Sequence, residues 1–145
     1  MIYTEVIPYI YITDLKYLKK TNITRGTVLL LTKIKINLDK KVNIIRLPLE
    51  YTGRNHEYKE NITKNKQMLA DQLTAVVNVI LEIHKNTARE NLYISCPDGL
   101  QIAPFVFLAY LVFYGKMTKQ EALDSLLSKN ESFFKDGILY YDILK

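Results

Sequence analysis

Residues 91–115 read NLYISCPDGLQIAPFVFLAYLVFYG, and the reading of this stretch decides the fold. Leu92, Tyr93 and Ile94 are apolar in succession, as in a strand covered on both faces. Cys96-Pro97-Asp98-Gly99 has the composition of a turn. Ile102 to Tyr114 is apolar almost all round, which predicts a helix buried in the middle of a domain, and Gly115 supplies its stop. A core strand, a tight loop containing glycine and a core helix therefore follow one another directly. Such a loop aims successive backbone N–H groups at one point beside the positive end of a helix. A thiol at that point would have its pKa lowered and could attack phosphorus.

Upstream, Val6-Ile7-Pro8-Tyr9-Ile10-Tyr11-Ile12 predicts two short strands bent at Pro8, and Thr13-Asp14 a helix start with Leu15, Tyr17 and Leu18 facing inward. Thr27-Val28-Leu29-Leu30-Leu31-Thr32 predicts a buried parallel strand. Val42 to Leu47 predicts another, closed by Pro48, and Glu50 to Lys64 reads as polar loop with one helical turn. Lys66 to Lys85 carries Leu69, Leu73, Val76, Val77, Ile80 and Ile83 or His84 at helical spacing. Downstream, Thr118-Lys119-Gln120-Glu121 is a capping box opening a helix whose inward positions are Ala122, Leu123, Leu126 and Leu127. A last helix is expected from Ser132 to Leu144, burying Phe133, Phe134, Ile138, Tyr141 and Ile143 or Leu144. Strands alternating with helices, then a helical C-terminal third, predict an α/β domain with a largely parallel sheet flanked by helices.

The 145 residues suit one domain, 1–145, and 48% hydrophobic with 24% charged residues is ordinary globular composition. No internal repeat and no linker-like stretch interrupts it. One cysteine excludes an internal disulfide and cysteine-based zinc sites; His56 and His84 have no metal-ligand spacing around them, so neither metal nor cofactor is expected. The longest apolar run has thirteen residues, short of the roughly 20 that span a bilayer. The N-terminus lacks the basic region and cleavage site of a secretory leader, which leads to an intracellular expectation, cytoplasm or nucleus. The net charge of +5 is uneven: residues 14–66 hold thirteen Lys/Arg and five Asp/Glu. A basic half of this kind suits a lysine-rich solvated surface or an anionic partner, nucleic acid included. No nucleic-acid signature accompanies the eleven tyrosines, and Tyr9/Tyr11 and Tyr140/Tyr141 are read as core or interface. The bias to Lys, Asn, Ile and Tyr fits an AT-rich genome, parasitic or viral.

Taken in order, these segments resemble the dual-specificity, cysteine-dependent phosphatase family. That family carries His-Cys-x-x-Gly-x-x-Arg-Ser/Thr between its core strand and central helix, and Cys96 and Gly99 match at that spacing. Leu108-Ala109-Tyr110-Leu111 resembles its central helix, Val6 to Ile12 its opening segment, Ile45-Arg46-Leu47-Pro48-Leu49-Glu50 the strand before its general-acid loop, and Thr118 to Asn130 with Phe133 and Phe134 its closing helices. The likeness covers nearly the whole chain.

The departures fall on the catalytic positions. Ser95 stands where the resemblance implies the signature His, Ile102 where it implies the Arg, Ala103 where it implies Ser or Thr, and Tyr51, beside Glu50, where it implies the general-acid Asp. The resemblance implies a degenerate phosphate loop, Ser95-Cys96-Pro97-Asp98-Gly99-Leu100-Gln101-Ile102-Ala103, with Cys96 as a vestigial nucleophile. Isoleucine offers no donor to a phosphoryl group, Pro97 removes one loop N–H, and Asp98 repels both thiolate and phosphate, so a neutral thiol is expected. The resemblance thus implies a pseudophosphatase: a protein-interaction module, homodimeric in one version. A phosphoprotein partner ranks below an unphosphorylated protein surface. One alternative is an atypical phosphatase acting on phosphoproteins or an RNA 5′-phosphate through Cys96, Glu50 and a cation borrowed from Arg46, Arg54 or Arg89. The other is a basic nucleic-acid-binding module.

Overall fold

The computed structural model describes residues 1–49, 55–86 with side chains from Ala70 onward, 90–138 and Leu144. Its elements are β1 (Tyr3–Ile7), β2 (Ile10–Asp14), α1 (Leu15–Lys20), β3 (Thr27–Leu30), β4 (Asn43–Arg46), α2 (Asn55–Asn86), β5 (Leu92–Cys96), α3 (Ile102–Tyr114) and α4 (Lys119–Lys129). The five strands form one sheet in the order β1-β2-β5-β3-β4. Only the β1–β2 hairpin is antiparallel; β2, β5, β3 and β4 run parallel. The buried strand β5 lies at the centre of the sheet, as its unbroken apolar run demands.

Side chains alternate across the sheet and sort the core into two. Ile10 and Ile12, Leu29 and Leu31, Leu92, Ile94 and Cys96 face α2, α3 and α4, where they join Val76, Val77, Ile80, Phe105 to Ala109 and Leu126. Val28, Leu30 and Tyr93 face the other way and are covered by Leu15 and Leu18 of α1 and by Ile36 and Val42 of the β3–β4 connection. Cys96 thus points into the larger core. The central helix α3 has the predicted bounds, and Pro104 sits in its first turn, where a missing N–H costs no helical bond.

Asp14 ties three elements together at the level of the Cys96 loop. It ends β2 opposite Cys96 in register. Its Oδ1 accepts the Tyr17 N–H at 2.7 Å and caps α1, while Oδ2 accepts the Ile2 N–H at 2.9 Å and holds the N-terminal strand.

Three expectations change. Helix α2 begins at Asn55, so residues 55–64 are helical rather than polar loop. The stretch has no Gly or Pro, and its polar residues include the good helix formers Glu57, Lys59 and Glu60; apolar periodicity alone gave no signal there. The expected helix over 132–144 is absent among the described residues: 131–136 are consecutive turns, with Phe133 and Phe134 still buried. Phe134 and Gly137 both have positive φ, 59° and 97°, which no helix accepts. Tyr140, Tyr141 and Ile143 lie outside the described residues. Gly115 is the C-cap of α3 but has φ −86°; the left-handed residue after the helix is Lys116, φ 56°. The capping box at Thr118 and Glu121 forms as predicted.

Replacing Asp14 by Ala removes the cap and strands the part-buried Ile2 N–H, so a loss of about 2 kcal/mol is expected in urea denaturation. Asp14→Asn, which keeps one carbonyl acceptor, should lose about half as much. Equal stability of all three proteins would contradict the role given to Asp14.

Candidate functional site

The loop between β5 and α3 is built around the Cys96 sulfur. Cys96 is fully buried, and its Sγ accepts the Ala103 N–H at 3.3 Å across the turn. The thiol in turn donates to Asp98 Oδ1 at 3.7 Å, and the same oxygen accepts the Leu100 N–H at 2.9 Å. The Gly99 amide also favours a thiolate, more weakly than that of Ala103. Two backbone donors of the loop, Leu100 and Ala103, thus have internal acceptors, and at Pro97 the donor does not exist. Asp98 places a carboxylate of the chain at the mouth of the nest where an external anion would sit.

The electrostatics follow. Burial is the largest influence on the thiol, the Asp98 carboxylate adds to it, and the Ala103 and Gly99 amides act against both; the pKa is pushed up to about 12. Two oriented amides are therefore too few to stabilise a thiolate here.

Gly99 is the residue that allows so tight a turn. Its φ is +68°, and a Cβ there would lie 3.0 Å from Ile2 Cβ and 3.1 Å from the Asp14 nitrogen. The loop is pressed against the N-terminal segment on this side. On the other side the C-terminal turn is bonded to it: the Phe134 N–H donates to the Leu100 carbonyl at 3.0 Å, and Gln101 Nε2 to the Gly137 carbonyl at 2.7 Å.

The remaining predicted residues fall as follows. The Ser95 hydroxyl is buried on the opposite face of the sheet and hydrogen-bonds Thr13 Oγ1, away from the sulfur. Ile102 is 4% exposed and packs in the main core together with Ala103. Arg46 is exposed at the end of β4, where its guanidinium donates to the Ile34 carbonyl at 3.2 Å. Glu50, Tyr51, Arg54 and Arg89 lie outside the described residues, as does the side chain of His56. His84 is exposed and shares a 2.8 Å hydrogen bond with the Tyr110 hydroxyl. Among the described residues no three His, Cys, Asp or Glu converge as metal ligands, and no helix is long and apolar enough to cross a membrane. Sequence reasoning placed Gln101 in the loop and Thr13-Asp14 at a helix start, but gave none of them, nor the 134–137 turn, as a support of the loop.

The thiol also makes stability depend on pH. A free thiol ionises near 8.5, so the unfolded chain loses this proton first. The contribution of Cys96 is full below that pH and is lost as pH rises towards about 12. Wild type should therefore lose stability faster than Cys96→Ser above about pH 8.5, by up to ~1.4 kcal/mol per pH unit. Parallel stability curves in alkaline urea titrations would show instead that the thiol ionises freely in the folded state.

No protein-family model and no curated protein matches the sequence. Solved structures do. The phosphatase protein with leucine-rich repeats from Entamoeba histolytica is 17% identical with a TM-score of 0.65, the match covering 99% of this chain and 88% of that one. Human DUSP28 is 12% identical with a TM-score of 0.70, over 97% of this chain and 92% of that one. The tyrosine phosphatase OH1 from the Orf virus is 16% identical with a TM-score of 0.63, over 100% of this chain and 86% of that one. The chain therefore has the single-domain α/β fold of the dual-specificity and tyrosine phosphatases.

Proposed function

We propose that this chain is a phosphatase-fold domain without phosphatase activity, whose function is to bind another protein. The observation that carries this reading is the state of Cys96: fully buried, bonded by its own loop and held as a neutral thiol. A nucleophile must be ionised and reachable, and this sulfur is neither. The loop adds two supports. Asp98 repels an incoming phosphate, and Ile102, where the resemblance implies an arginine, has its side chain in the core and nothing to donate. Arginine contributions to phosphoryl transfer are worth roughly 10³–10⁵ in rate. An exposed apolar residue such as Tyr9, Phe113 or Tyr114 offers contact area for a protein partner or for a second copy of the chain.

One observation favours an atypical cysteine phosphatase instead: the Ala103 and Gly99 amides still point at the sulfur, as an anion nest requires. Hydrolysis of a chromogenic aryl phosphate separates the two readings. Wild type and Cys96→Ser are expected to turn it over at the same background rate near neutral pH. A rate in wild type that Cys96→Ser abolishes would overturn the proposal.

A further inference from the structure

The end of the sheet opposite Cys96 carries a second concave site. β5 runs from Leu92 to Cys96, so the residues before Leu92 lie about 13 Å from the loop. Here the chain leaves α1 at Thr21 and passes over Asn91 before turning into β3. It is pressed close: the Thr27 N–H donates to the Asn91 carbonyl at 3.0 Å, and a Cβ on Gly26, φ +102°, would lie 2.5 Å from that oxygen. Three hollows line this passage. One of about 480 Å³ runs between Tyr17, Asn22 and Asn91; a second of about 440 Å³ shares Arg25 and Glu90 with it and reaches Lys41; a third of about 180 Å³ shares Thr21 to Ile23 with it and reaches Lys19 and Lys20. Neighbouring hollows share lining residues, so the three follow one another along this segment as a broken groove.

Its charge is predominantly positive. Lys19, Lys20, Arg25 and Lys41 are exposed along it, against Asp39 and Glu90. Glu90 approaches Arg25 at 3.7 Å. Tyr17 and Tyr93 form part of the wall. The Tyr93 hydroxyl accepts a hydrogen bond from Asn91 Nδ2 at 3.1 Å, and burial pushes the Tyr17 phenol up to about 12, so Tyr17 remains a protonated donor.

We propose that this groove binds an acidic, extended peptide segment of a partner protein, with its carboxylates on Lys19, Lys20 and Lys41 and its backbone on the Asn22 and Asn91 amides. Charge complementarity selects an anion. The aromatic residues favour peptide over single-stranded nucleic acid. Tyr17 stacks on Tyr3 at 4.4 Å, Tyr3 on Tyr11 at 4.9 Å and Tyr11 on Tyr93 at 5.5 Å, and Tyr93 is buried. Their faces are largely used within the fold instead of standing open to bases, as a strand-binding platform needs. The groove is separate from the Cys96 loop, and the proposal holds whether or not that loop is catalytic.

The test is fluorescence anisotropy with a fluorescein-labelled Glu-rich peptide, a labelled single-stranded oligodeoxynucleotide of equal charge, and two variants matched in net charge. Lys19→Glu/Lys20→Glu/Lys41→Glu reverses the groove. Lys116→Glu/Lys129→Glu/Lys135→Glu reverses exposed cations elsewhere. The wild type should bind the peptide more tightly than the oligonucleotide. The groove variant should weaken peptide binding on the order of tenfold, and the control should stay near wild type. Three results would each overturn the proposal: no peptide binding by wild type, equal loss in both variants, or preference for the oligonucleotide.

Discussion

A backbone amide bonded to a buried sulfur closes the turn on which this molecule is organised. The Ala103 N–H reaches back to Cys96 Sγ at 3.3 Å, so the last residue of the central strand and the first turn of the central helix are joined at one atom. Everything around the loop depends on that closure. Gly99 can press against Ile2 and Asp14 because the turn is tight, and the 134–137 turn can bond Leu100 and Gln101 because the loop presents them outward. The Leu100 and Ala103 amides of the loop are bonded by groups of the chain itself, Asp98 and the Cys96 sulfur. Filling the loop internally stabilises it: a buried N–H left without an acceptor costs about 1–3 kcal/mol, and the sulfur accepts the buried Ala103 amide that would otherwise incur that cost.

The strands and helices with a single strong signal were legible in the sequence. β3, β5 and α3 are continuous apolar runs that only the centre of a domain accommodates, and α4 announces itself by its capping box. Where the signal was apolar spacing alone, it failed at the polar first part of α2, because a helix continues through good helix formers whether or not they touch the core. The C-terminal segment misled in the other direction. Phe133 and Phe134 are buried as expected, but two positive φ angles make the path irregular, and apolar composition carries no record of φ.

The candidate site was legible as a loop and illegible as an environment. Cys96 and Gly99, and the departures that the resemblance implies at Ser95 and Ile102, can be read from the sequence. That Ser95 turns its hydroxyl to Thr13, a residue 82 positions away, cannot, because that pairing is set by strand order. The neutral thiol was expected from Asp98 and the missing cations. Burial turns out to be the larger cause, with Asp98 second in raising the pKa. Placement matters equally for the basic half of the chain. Eight of its thirteen cations lie on α1, the 21–26 segment and the β3–β4 connection, on the side of the sheet away from α2, α3 and α4, whereas Arg46 ends β4 and Lys59, Lys64 and Lys66 are on α2. The cations of α1 and of these two connecting segments thus lie apart from the cysteine loop.

The central claim is that the loop holds its own anion and admits no other. Calorimetric titration of the wild-type protein with tungstate, an oxyanion of phosphate geometry, measures this directly. No heat of binding at millimolar tungstate near neutral pH is the predicted result. Stoichiometric binding that disappears in Cys96→Ser would contradict it and would mean that Asp98 swings out to leave a functional anion nest.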